Sequence, residues 1–444
     1  MKTAGIGITV HSVSGTEPTG AVRRGASALR YMLLSLALAL LPFSVAPAAA
    51  DYDSHWVATW ATASKTVTPF DAPLPTFNDT TVRQVVRISM GGDGFRVWFT
   101  NEFGTAPLNI GEARLALRDA DSAIAEGSDR MLTFGGKPSI AIAPGARAVS
   151  DTVNLAAPHL AELVISLHLP DDLSASASPV TYHVRALQTN YMADGNQAAA
   201  EALDSPTTVP SWFFISAVDV RFYKAVPVIA GFGDSITDGD QTQPEPVDQN
   251  ARYTDFLAER LLVTEKAVWS GVDQATVVNL GISGNQLNST FLGENAQARL
   301  NRDVLTQSGV THVVVLEGIN DIGLPVLLGA PSGATADQLI AGHQQIAARI
   351  RAAGLTAIGA TLSPSGGFFL PGYSGDAVEE ARQGLNTWMR ESGAYDMVAD
   401  IDAVLRDPDD PTRMRSDLTA DGLHPNADGY RVMAEEIHRA LAGN

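Results

Sequence analysis

Two rhythms of apolar and polar positions divide the chain. From Asp51 to about Val220 the rhythm has a period of two. Val86, Ile88 and Met90 alternate with Arg87 and Ser89; after Gly91-Gly92-Asp93-Gly94, Phe95, Val97 and Phe99 alternate with Arg96 and Trp98. Such alternation turns one face of a strand to a core, and two runs about a glycine turn predict a β-hairpin. Leu163, Ile165, Leu167 and Leu169 repeat the pattern until Pro170-Asp171-Asp172 stops it. Short strands between Gly, Pro and Asp clusters, with no long helical period, predict an all-β sandwich of jelly-roll type.

After Ala225 the rhythm changes. Short apolar runs at 226–231, 277–282, 312–316, 355–362 and 397–401 alternate with helical spacing at 253–262, 296–305, 336–353 and 377–392. Strand alternating with helix predicts a parallel sheet covered on both faces. No repeat or low-complexity linker marks the change. The expected organisation is therefore a sandwich over 51–220 followed by an α/β domain over 221–444, and 444 residues are enough for two cores.

The first fifty residues stand apart. Arg23, Arg24 and Arg30 precede the apolar stretch from Tyr31 to Leu41, and Ala48-Ala49-Ala50 offers a small-residue cleavage site before Asp51. This predicts a secretory signal peptide over 1–50; the apolar stretch is shorter than the roughly 20 residues of a spanning helix. The expectation is a protein secreted to the extracellular or periplasmic space, with no stable membrane insertion after cleavage. The formal net charge of −19 becomes more negative once Lys2, Arg23, Arg24 and Arg30 are removed against Glu17. So acidic a chain repels nucleic acid and anionic membranes, which leaves a neutral polymer or a small ester as an easier ligand. The chain has no cysteine, which excludes disulfides, thiolate catalysis and cysteine-bound metal.

The candidate chemistry sits where the predicted strands end. In an open parallel sheet the ligand crevice lies outside the carboxyl ends of the strands. The first strand runs into Gly233-Asp234-Ser235. Alone, Ser235 reads as a helix cap, and a serine becomes a nucleophile only with a base at hand. Asp421-Gly422-Leu423-His424-Pro425 supplies one: His424 to take the serine proton and Asp421 to orient it. Gly284, after the second strand, allows a backbone N–H to approach a ligand. Asn320, after the third, adds an amide side chain, and with the Ser235 N–H these would form an oxyanion hole.

Gly233-Asp234-Ser235, Gly284, Gly318-Ile319-Asn320-Asp321 and Asp421 through Pro425 together resemble the four blocks of the SGNH, or GDSL, hydrolase superfamily, with Ile236 where Leu is commoner. The resemblance covers 225–444. It implies a flavodoxin-like three-layer α/β/α domain that hydrolyses acyl esters without metal or cofactor. Ser235 would be the nucleophile, His424 the base and Asp421 its orienting carboxylate, with Ser235, Gly284 and Asn320 in the oxyanion hole. A sandwich ahead of such a domain is also similar to secreted esterases of acylated plant polysaccharides, notably acetylxylan esterases. The expected substrate is then an acylated carbohydrate such as xylan. The same blocks serve short-chain arylesterases and lysophospholipases equally well, and a non-catalytic carbohydrate-binding protein is the alternative from another class. Outside the blocks, Trp98 is a candidate for stacking on a sugar or packing against a neighbouring domain. His183 and Tyr191 could reach the cleft from the sandwich side, and Asp238 and Asp240 read as turn or cap residues.

Overall fold

The computed structural model describes residues 55–71, 73–241, 246–264 and 274–443; the expected signal peptide lies outside them. Its second half is built on five strands in the spatial order Thr276–Gly281, Val228–Gly233, Val310–Leu316, Thr356–Ala360, Met397–Ala399. All neighbours run parallel. Counted along the chain the order is 2-1-3-4-5, the flavodoxin-like doubly wound arrangement with its switch point between the first and third strands.

Both faces of these strands are covered. Every residue of Val228–Gly233 is buried, as a strand between two helical layers requires. The helix Ala336–Ala352 starts at a capping box between Thr335 and Gln338, and it buries Leu339, His343, Ile346, Ala347 and Ile350 at helical spacing. Asp376–Glu391 and Ala427–Leu441 are built on the same periodicity. The expected helix over 296–305 is α-helical only over Ala296–Leu300 and widens into a π turn over Asn301–Leu305. The strand expected over 397–401 stops at Ala399, because Asp400 caps a short helix, Ile401–Leu405, through the Ala403 N–H.

The first half is largely strands. A five-stranded antiparallel sheet contains His55–Ala61, Ile215–Phe222, Gly92–Thr100, Arg147–Val149 and Val153–Ala157. A six-stranded one contains Thr207–Val209, Asn190–Asp194, Thr80–Arg87, Glu162–Leu169, Glu112–Leu117 and Arg130–Leu132. The expected hairpin is overturned: Thr80–Arg87 pairs with Glu162–Leu169 and Asn190–Asp194, while Gly92–Thr100 pairs in the other sheet. Alternation records which side of a strand is buried and says nothing of its neighbour, so the glycine turn carries the chain from one sheet to the other.

The two halves share one continuous cluster of buried apolar side chains, from Val57 and Val218 to Val228 and Phe232, and all described residues belong to one compact unit. Polar ties reinforce the seam. The Ala58 N–H donates to Ser308 O at 2.8 Å, and the edge strand Thr276–Gly281 has its Val277 N–H satisfied by Ser89 Oγ at 3.2 Å. The first half thereby covers part of this sheet edge.

Candidate active site

Three adjacent strands of the parallel sheet end at one level. Gly233 is in register with Gly281 on one side and Leu316 on the other, so the loops that follow, carrying Ser235, Gly284 and Asn320, spring from the same edge. The turn after Gly233 is tight: a Cβ there would meet Thr237 Oγ1 at 2.1 Å and Leu316 O at 2.5 Å, so only glycine fits. Asp234 caps the next turn by accepting the Ile236 N–H at 3.0 Å. Ser235 opens the short helix Ser235–Asp238 with 6% of its surface exposed.

The structure brings His424 to this serine although 189 positions separate them: His424 Nε2 lies 3.1 Å from Ser235 Oγ. His424 Nδ1 lies 2.8 Å from Asp421 Oδ2. The carboxylate can only accept, so Nδ1 carries the proton and the Nε2 lone pair faces the hydroxyl. Asp421 is itself fixed, because its Oδ1 accepts the N–H groups of Leu423 at 2.9 Å and His424 at 2.8 Å. Thr419 staples the loop by donating to His424 O at 2.7 Å and accepting from Gly422 N at 2.9 Å.

Gly284 has φ +75°, in the left-handed region. The Asn320 amide is buried and held at both ends. Its Nδ2 donates to Asn285 O at 3.0 Å, and its Oδ1 accepts from the Tyr373 hydroxyl at 2.7 Å. An NH2 group has two hydrogens, so one remains for a ligand once the other is engaged. Tyr373 belongs to the loop after Thr356–Ala360 and was invisible in the sequence; no local pattern links it to Asn320. Arg299 was missed as well. Fully buried, its guanidinium donates to Gly233 O and Leu280 O, each at 2.8 Å, and to Asn285 Oδ1 at 2.7 Å. It thereby ties two strand ends to the loop behind Gly284. Asp321 receives the N–H groups of Leu287 at 2.6 Å and Asn288 at 2.9 Å.

Buried carboxyls surround the serine. Burial pushes Asp234 up to about 7 against the Ile236 N–H and the His424 charge, and burial pushes Asp321 up to about 6 against its backbone donors. Glu317 is driven well above the usual range by burial and by the Asp234 charge, only partly offset by Arg299. Burial alone would lower His424. The hydrogen bond to Asp421 and the charges of Asp240, Asp421 and Asp234 outweigh it, so the net shift is upward. Burial would raise Asp421, but its bonds to His424 and the local backbone bring it down. The arrangement favours an imidazolium on one side of Ser235 and places hydrogen-bond donors on another. That is the polarity needed to move a proton from an attacking hydroxyl and hold the negative charge that develops.

The other singled-out residues sort themselves by contact. The Trp98 indole donates to Asp219 Oδ2 at 2.8 Å and lines a cavity at the seam with Arg147 and Thr306. Tyr191 is buried in a small cluster with Val85, Ala193 and Leu203. His183 reaches Asp238 at 3.0 Å. Beside this pair a cavity of about 40 Å³ is lined by Trp60, His183, Trp212 and Arg252; it has room for water and none for a substrate, and Ser235 does not line it. Among the described residues no group of three or more His, Asp or Glu side chains is arranged to hold a metal ion, and no helix is long and apolar enough to cross a membrane.

Residues 232–432 match the GDSL-like lipase/acylhydrolase family. This part of the chain is a member of it, and the protein is a serine-type carboxylic ester hydrolase. Among solved structures, a lipolytic protein of the G-D-S-L family from Desulfitobacterium hafniense is 18% identical over 48% of this chain and 98% of its own, at a TM-score of 0.35. A variant of an acetyl-xylooligosaccharide esterase from Geobacillus Stearmophilus is 19% identical over 48% and 93%, at 0.36. A GDSL-like lipase from Bacteroides thetaiotaomicron is 16% identical over 50% and 89%, at 0.35. No curated protein matches the chain.

Proposed function

We propose that the protein is a secreted esterase that removes acetyl groups from an O-acetylated polysaccharide such as xylan, with Ser235, His424 and Asp421 as its catalytic residues. The observation that carries the mechanism is the unbroken hydrogen-bonded line from Asp421 through His424 to Ser235 Oγ, at 2.8 and 3.1 Å. His424 Nε2 takes the hydroxyl proton as Oγ attacks the ester carbonyl. The oxyanion is held by the N–H groups of Ser235 and Gly284 and by the free hydrogen of Asn320 Nδ2. The tetrahedral intermediate collapses, His424 passes the proton to the leaving alcohol, and a water activated by the same imidazole releases acetate from the serine.

The substrate class rests on several features. The basic and apolar leader suggests export, and the acidic chain disfavours anionic partners. Phe369 is 77% exposed and packs at 5.0 Å, tilted by 56°, on Phe368, which meets the His424 ring edge-on, so an exposed aromatic face stands beside the base where a sugar ring could rest. The two antiparallel sheets bury their apolar residues in one cluster, which supports reading them as a sandwich. The same phenylalanine pair favours a second reading, a short-chain arylesterase.

Acetate release from acetylated xylan, measured for the chain from Asp51 onward beside Ser235→Ala, tests both. Release that vanishes in the variant supports the polysaccharide reading. Cleavage of p-nitrophenyl acetate without acetate release from xylan keeps the serine mechanism and discards that substrate.

A further inference from the structure

We infer that His183 and Arg185, from the strand-rich half, are positioning residues for the esterase site. They clamp Asp238 and Asp240, and these carboxylates hold Ser283, whose peptide bond carries the Gly284 N–H. The inference rests on the proposed oxyanion hole and assigns the first half a part in it.

His183 lies on the two-residue strand Tyr182–His183, paired with Trp212–Phe213. Its ring is 3% exposed and faces only acceptors: Nδ1 lies 2.9 Å from Ala63 O, while Nε2 lies 3.0 Å from Asp238 Oδ1 and 3.1 Å from Arg185 O. A neutral imidazole would turn a lone pair onto one of these oxygens, so both nitrogens carry hydrogen and the ring is a buried cation against a carboxylate. Burial works against that charge, yet the adjoining Asp238 prevails and the net displacement of the His183 pKa is upward.

The other oxygen of Asp238 accepts Ser283 N at 3.0 Å and Ser283 Oγ at 3.1 Å. Asp240 Oδ2 lies 2.7 Å from the same hydroxyl, whose one hydrogen the two carboxylates share, and accepts Arg185 Nη1 at 2.7 Å. Asp238 ends the helix that Ser235 opens, and the Asp240 N–H returns to Ser235 O at 2.9 Å. One short stretch therefore links the nucleophile to the residue before the oxyanion glycine. Arg252 closes the clamp from the other side, donating to Asp238 O at 2.7 Å and to Ala186 O at 2.6 Å. With its N–H and hydroxyl both held, Ser283 is anchored from across the seam one residue before the Gly284 N–H.

His183 is too deeply buried to replace cleanly, so the test uses Arg185→Ala, its conservative partner Arg185→Lys, and Ser283→Ala, which removes only the hydroxyl. Each full-length variant is compared with the wild type on p-nitrophenyl acetate and by thermal melting. Wild-type hydrolysis abolished by Ser235→Ala secures the underlying esterase reading independently. Against that background, Arg185→Ala should lower kcat about tenfold or more, with KM within about twofold, because a misaimed donor is felt in the transition state and not in binding. Arg185→Lys should recover most of the loss, and Ser283→Ala should reproduce it in part. Wild-type kcat in folded Arg185→Ala and Ser283→Ala overturns the inference. If Arg185→Ala does not fold, wild-type kcat in Ser283→Ala alone does so.

Discussion

The antiparallel and the parallel halves both bury polar side chains, but they treat them differently. In the antiparallel half Arg83 is fully buried, donating to the Ser166 hydroxyl at 2.9 Å and to Ala200 O at 2.6 Å. Gln84 exchanges hydrogen bonds with the Phe213 backbone, and Asn190 joins Val85 N to Ser211 O. These groups knit loops to strands. Both halves hold buried polar atoms without a hydrogen-bond partner, Asp129 Oδ1 and Asp219 Oδ1 in the first and Asp234 Oδ2 and Glu317 Oε2 in the second, but at the ends of the parallel strands three carboxyls are pushed upward. The difference follows from strand direction. Parallel strands deliver all their carboxyl ends to one edge, so successive loops crowd polar groups into a single crevice, whereas antiparallel strands divide their ends between two edges.

If that contrast is right, the largest effect on activity comes from the parallel edge. Asp421→Asn should lower kcat on the order of 10³–10⁴, as loss of an orienting carboxylate does. It should also move the acid limb. His424 must be neutral to act as base, and its pKa stands above 6.5 in the folded protein, so wild-type activity should rise with pH through a midpoint above that value. Removing Asp421, the strongest of the influences that raise it, should lower the midpoint in a profile of kcat/KM against pH.

Arg83→Met tests the other side of the contrast. Several buried carbonyls lose their donor together, so urea unfolding should show a loss of about 3 kcal/mol or more, while the folded fraction keeps wild-type kcat. Impaired catalysis with full stability would break the division between the halves. Gly284→Ala should cost about a hundredfold in kcat, since its φ of +75° disfavours a side chain and a Cβ would meet Leu292 Cδ1 at 2.4 Å; KM should change far less. The smallest expected effect is that of Tyr373→Phe, about tenfold in kcat. It deletes only the hydroxyl that holds Asn320 Oδ1, and an unchanged melting temperature separates orientation from stability.

The readable part of the site was local. Gly233-Asp234-Ser235 and Asp421 through Pro425 each carry their chemistry within a few residues, and the alternation of apolar runs with helical spacing was enough to foresee a parallel sheet. The hairpin expectation failed because a period of two reports burial and is blind to pairing. Tyr373 and Arg299 were illegible as partners of the site for a related reason: a hydrogen bond between residues 53 or 66 positions apart leaves no trace in either neighbourhood, and His183, a candidate to reach the cleft, showed no sign of Asp238 as its partner.

Chain order and residue type were sufficient to single out Ser235, Asp421 and His424 as candidates, because the strand-to-turn motif at Ser235 and the Asp-x-x-His spacing are short-range consequences of backbone geometry. Tertiary packing alone decided that they meet, that the Asn320 amide is held at both ends, and that His183 of the strand-rich half reaches the helix opened by Ser235. Those outcomes depend on which sheet a strand joins and which loop crosses the seam, and both are resolved only when the shared apolar cluster closes and each buried polar group has to find its partner.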